Sequence, residues 1–129
     1  MKWIIFLIAL LLPVSVFGGA YLGEYEIDDY VTFSVSVHDP LSAAAADADA
    51  VPDYRIYEDE TTTAIVTGSM AKLDDDNTTG YYSERVQITA ESGFEAGKSY
   101  SVYVSAAYDS TTGVKAFMFK VKARTRIVY

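Results

Sequence analysis

Apolar and polar residues alternate one for one along much of this chain, and that period admits few folds. Val31, Phe33, Val35 and Val37 are spaced by Thr32, Ser34 and Ser36. Tyr100, Val102, Val104 and Ala106 are spaced by Ser101, Tyr103 and Ser105, and Phe117, Phe119 and Val121 by Met118 and Lys120. Side chains of a strand point to opposite faces in turn, so each run has one dry face and one wet face; a helix would repeat its apolar residues every three or four positions. The same reasoning places Tyr54 and Ile56 inward, and likewise Tyr82, Val86 and Ile88. Ala64 to Leu73 reads as a less regular strand pair, kinked at Gly68.

Breakers separate these runs. His38-Asp39-Pro40 stops one strand, because proline cannot donate to a ladder. Ser42 to Ala50 is alanine with Asp47 and Asp49 and lacks large apolar anchors, so it is expected as a loop. Asp74 to Gly80 is a turn, each residue suited to local backbone bonds or to positive φ. Gly93 and Gly97 bracket Phe94, and Asp109 to Gly113 reads as a hairpin turn. About seven short strands with regular turn signals predict an all-β fold, an immunoglobulin-like (fibronectin type III-like) antiparallel β-sandwich.

Residues 1–20 read differently. Lys2 is a charged start, Trp3 to Leu12 is unbroken apolar sequence, and Pro13 precedes the small residues Gly18, Gly19 and Ala20. That is the anatomy of a signal peptide, with cleavage expected after Gly18 or Ala20; left uncleaved, the segment is an N-terminal membrane anchor. The sandwich is then 21–129. Secretion or cell-surface display is the expected location, with the membrane touched only through residues 1–20.

The formal net charge of −8 argues against a nucleic-acid partner, since duplex binding needs lysines and arginines to release phosphate counterions. The absence of cysteine removes disulfide frameworks, thiolate metal sites and a cysteine nucleophile. His38, the single histidine, stands at a strand end with no nucleophile implied nearby, so no catalytic residue and no cofactor is expected. Asp74, Asp76 and the Thr78 carbonyl are the candidate ligands for calcium, although the spacing is not that of an EF-hand: its glycine and glutamate positions hold Thr79 and Arg85. The ordinary alternative is a solvated turn. Tyr54, Tyr82 and Tyr100 fall on inward positions, and Tyr100 is placed like the corner tyrosine of such sandwiches. Tyr57, Tyr81 and Tyr103 face outward and form the candidate binding face, since exposed aromatics anchor protein partners or stack on sugars. Lys115, Lys120, Lys122, Arg124 and Arg126 crowd the last strand and tail. They either guard an exposed edge strand or oppose the acidic turn of another copy.

Three motifs carry a resemblance: the proline-led tyrosine strand from Pro52, the Leu73-Asp74 turn followed by Gly80-Tyr81-Tyr82-Ser83-Glu84, and the corner Phe94-Glu95-Ala96-Gly97-Lys98-x-Tyr100. With the opening Tyr21 to Pro40, they make residues 21–121 similar to a family of small immunoglobulin-like proteins of tailed phages and environmental viral sequence. The resemblance implies the sandwich fold and a non-enzymatic structural or attachment role on a virion, with a protein partner or copies of itself. It transfers no functional residues. The leader implies display at a cell surface instead, where a secreted carbohydrate-binding or adhesin-like domain with a surface glycan as partner is the alternative.

Overall fold

A computed structural model describes residues 20–74 and 76–124. Of the signal or anchor segment expected at residues 1–20, all but Ala20 lies outside them. The strands are β1 (Ala20–Tyr25), β2 (Tyr30–Ser36), β3 (Asp53–Glu58), β4 (Val66–Ser69), β5 (Ala71–Lys72), β6 (Tyr81–Gln87), β7 (Ser99–Tyr108) and β8 (Thr111–Val121). They form a five-stranded sheet in the order β1-β8-β7-β3-β4 and a three-stranded sheet in the order β2-β6-β5. All pairings are antiparallel except β1 with β8.

This order decides the topology. The larger sheet holds β3, β7 and β8 side by side, as the C, F and G strands of an immunoglobulin domain; the smaller holds β2, β6 and β5, as its B, E and D strands. The chain is an immunoglobulin-like β-sandwich.

The alternation read from the sequence builds the core. Val31, Phe33 and Val35 of β2 face Tyr54, Ile56, Val102, Val104, Phe117 and Phe119 of the larger sheet, all buried. At one end Tyr100 stacks on Phe119, with Phe94 edge-on to Tyr100 and Tyr25 edge-on to Phe119. Tyr100 is fully buried, and its hydroxyl accepts the Glu95 N–H at 2.7 Å, so it ties the corner at Gly97 to the strand as expected.

Three expectations are corrected. The break between β4 and β5 falls at Met70, not Gly68: the Met70 side chain is buried and its N–H bonds the Pro52 carbonyl as the chain crosses between sheets. Gly68 is required for another reason, because a Cβ there would lie 2.6 Å from the Tyr54 hydroxyl. The last hairpin turn is Asp109-Ser110 alone, both at positive φ (47° and 64°), and Thr111 to Gly113 already belong to β8. Such mirror-image turns match the twist of the flanking strands. Finally, β8 is covered by β1 over Phe117 to Val121. Lys120 stands opposite Glu24 in the register with β1, and Arg124, past the end of β8, pairs with Glu26 at 3.5 Å, so neither stands on an open edge.

Candidate functional site

Two places offer themselves: the loop end of the sandwich and the outer face of the larger sheet. At the loop end, residues 37–52 are held by their own acids. Asp47 accepts the Gly80 N–H at 2.7 Å and pairs with Lys72 at 2.8 Å, which together hold its carboxyl below the usual range, the Lys72 bond contributing most. Asp49 accepts the Asp109 and Ser110 N–H groups and so fixes the left-handed hairpin turn. The Ala48 N–H bonds the Tyr82 hydroxyl, and the Val37 N–H bonds the Gly80 carbonyl. The loop is therefore pinned to the 73–80 turn on one side and the β7–β8 hairpin on the other.

Beside it lies an open cleft of about 340 Å³ between β2 and the upper half of β8. Its floor includes Val35, Val104 and Ala106, and its rim carries His38, Tyr108 and Lys115. His38 is exposed there, and the neighbouring Asp39 carboxylate is used by the Leu41 N–H of its own turn.

The candidate calcium residues form a self-contained turn. Asp74 takes the Asn77 side-chain amide on one carboxylate oxygen and the Asp76 N–H on the other, and those bonds, Asn77 first, lower its pKa. The Thr78 hydroxyl donates to the Asp74 carbonyl, at 2.6 Å, and accepts the Asp74 N–H. Among the described residues no three His, Cys, Asp or Glu side chains gather as a metal site.

The structure separates the tyrosines proposed as one face. Tyr103 and Tyr57 share the outer face of the larger sheet, with Arg55 opposite Tyr103 and bonded to the Tyr57 side chain, which raises the Arg55 pKa. Tyr81 lies on the outer face of the smaller sheet, across from Ser36. The two outer faces differ in kind. That of the smaller sheet carries Thr32, Ser34, Ser36, Ser83, Arg85 and Gln87 between Tyr30, 45% exposed, and Tyr81, with Arg85 lying over the Tyr30 ring at 3.9 Å. That of the larger sheet carries Tyr21, Met118, Val114 and Tyr103, exposed by 64%, 40%, 58% and 44%. The register brings them together: Tyr21 neighbours Met118, Tyr103 neighbours Ala116, and Val114 follows two positions along. The charged groups on this face are of both signs: Glu24 stands opposite Lys120, Asp53 and Arg55 share β3, and Asp59 accepts the Ser101 hydroxyl at 2.9 Å. Sequence reading found Tyr103 but passed over Tyr21 and Val114. Tyr21 needed the parallel pairing of β1, and Val114 was hidden inside the supposed turn.

No family model matches the chain, and no curated protein matches it. Among solved structures it is similar to titin domain M7, at 13% identity and a TM-score of 0.47, over 82% of this chain and 90% of that one.

Proposed function

We propose that this is a non-enzymatic binding module, displayed on a virion or cell surface, that engages a protein partner or copies of itself through the outer face of its larger sheet. One observation carries the reading: four large apolar side chains cluster on one sheet face of an acidic molecule. Contiguous exposed apolar patches mark interaction sites, and interface cores are depleted of charge and enriched in Tyr and Met. The phage-type resemblance and the leader support the display part of this reading.

Tyr103→Lys with Met118→Lys tests it. Light scattering and binding to isolated particles or cell surfaces should both drop, while melts change little, as for surface substitutions. Association unaffected by the pair, or a saccharide signal on a glycan array that survives it, would replace the reading with the adhesin-like alternative.

A further inference from the structure

The register of β7 against β8 sets a large side chain beside a small one at four successive outward positions. Ser99 stands opposite Lys120, Ser101 opposite Met118, Tyr103 opposite Ala116 and Ser105 opposite Val114. One member of each pair is serine or alanine, so every projecting side chain has a hollow at its flank. The large member is on β8 in three rows and on β7 in the row of Tyr103. A surface built this way is complementary to itself. Charge points the same way. Asp and Glu number 18 in the chain, and none lies in β7 or β8, whose charged residues are Lys115 and Lys120. A second molecule as acidic as this one meets least repulsion there.

Resting on the function proposed above, we infer that the face takes a second copy of this chain, about a two-fold axis that runs along the strands between β7 and β8. Such an axis lays β7 of each copy over β8 of the other and leaves the rows in step. Met118 then enters the hollow at Ser101 of the other copy, Val114 that at Ser105, and Tyr103 that at Ala116. Packed sheets lie about 10 Å apart with their strands nearly aligned, a gap that interdigitating side chains fill. A two-fold axis across the strands fits less well. It matches at most the two middle rows, and it sets Val114 against Lys120 and Ser105 against Ser99. The charged row also suits the first axis. The Asp59 carboxylate accepts the Ser101 hydroxyl on this face, and the Asp59 N–H bonds the Ser99 carbonyl, so Asp59 flanks Ser99. Lys120 of the other copy comes down over Ser99 and reaches that carboxylate, while Glu24 stands beside it in its own chain. One lysine between two carboxylates, twice over, fixes the register, and the apolar rows carry the affinity.

The test uses the full chain in a mild detergent, given the apolar run Trp3 to Leu12, and reads the dimer by sedimentation. Concentrations run to about 0.5 mM, because small interfaces associate weakly. Lys120→Glu and Asp59→Lys should each lower the association constant about tenfold or more, since each puts two like-charge contacts into the dimer. An equimolar mixture of the two variants should recover it, because both contacts of the mixed dimer again join opposite charges. The chain has no cysteine, so single thiols report the axis. Ser105→Cys should cross-link to itself between copies through a bis-maleimide about 10 Å long, the spacing of packed sheets, and Thr67→Cys on the distant strand β4 should not. A monomer throughout the range overturns the inference. So does association indifferent to both charge variants, loss without recovery on mixing, or cross-linking at Thr67 and not at Ser105. The broader reading answers to a different result. If the chain is monomeric and Tyr103→Lys with Met118→Lys still abolishes binding to particles or cells, the face serves a foreign protein and only the dimer is refuted; if that binding survives as well, both fall.

Discussion

Phe119→Ala and Met118→Ala, neighbours in β8 on opposite faces, test the architecture most directly. Phe119 is 1% exposed, and its ring lies 5.5 Å from Tyr100, 5.9 Å from Tyr25 and 6.0 Å from Phe94. Truncation leaves a cavity walled by three rings that cannot all move inward, because Tyr100 is tied to the Glu95 N–H. Phe-to-Ala changes in cores cost about 3–5 kcal/mol. Lost ring contacts, worth about 0.5–1.5 kcal/mol each, place this one toward the upper end. A sandwich of roughly 100 residues has about 5–15 kcal/mol in total, so the variant should melt some 15–30 °C lower and stay folded only in the cold if the parent is marginal. Met118 is 40% exposed and borders Tyr21, so Met118→Ala should cost about 1 kcal/mol or less. Urea melts with matched slopes measure both. Equal losses would mean that β8 is slipped by one residue, since a slip exchanges the faces of a strand, and the core described above would be wrong.

Other outcomes follow from the loop end and from charge. Gly80→Ala should cost about 2 kcal/mol or more by thermal melt, since φ is +74° and a Cβ would sit 2.5 Å from the Val37 carbonyl; Gly97→Ala, strained at φ +87° but with open space around it, should cost less. Asp47 has its pKa lowered from the ordinary 3.8, so its contribution is complete above that value and drains away as pH falls through the lowered one; Asp47→Asn should flatten the acid limb of a pH–stability curve. Self-association should persist at high salt in light scattering, because the proposed face is centred on apolar side chains and Arg124 is already paired with Glu26. Dissociation on adding salt would favour head-to-tail pairing of Lys120, Lys122 and Arg124 with the acidic turn of the next copy.

Period two made the sandwich legible because it is a local signal: Val31 to Val37 and Tyr100 to Ala106 declare their faces without any knowledge of partners. The Tyr100 corner was legible for the same reason, Gly97 and Tyr100 lying close in sequence. What escaped depends on contacts across the chain. Gly68 looks like a kink until Tyr54 of the neighbouring strand is laid over it. Gly113 looks like a turn residue, yet the turn is set by Asp49, sixty positions away from Asp109, which supplies the acceptors that two non-glycine residues at positive φ require. The candidate site was half legible: Tyr57 and Tyr103 sit where alternation put them, but nothing local says that Tyr81 belongs to a different sheet or that β1 brings Tyr21 beside Met118.

The placement of the acids argues for where function lies. An acidic chain invites a search for cations, and the loop end holds several of its carboxylates. Yet Asp39, Asp47, Asp49 and Asp74 each spend oxygens on backbone N–H groups, at the Leu41, Gly80, Asp109 and Asp76 positions respectively. Such carboxylates fix loops that lack regular secondary structure, and a metal would have to compete with hydrogen bonds already made. The acids thus serve the scaffold and its solubility at the loop end. The larger sheet, where apolar side chains gather, has no comparable structural use for its exposed Tyr103, Val114 and Met118. On the proposed reading, a side chain that contributes little to the fold and yet stands apolar in water, beside others like it, is explained by what comes to cover it.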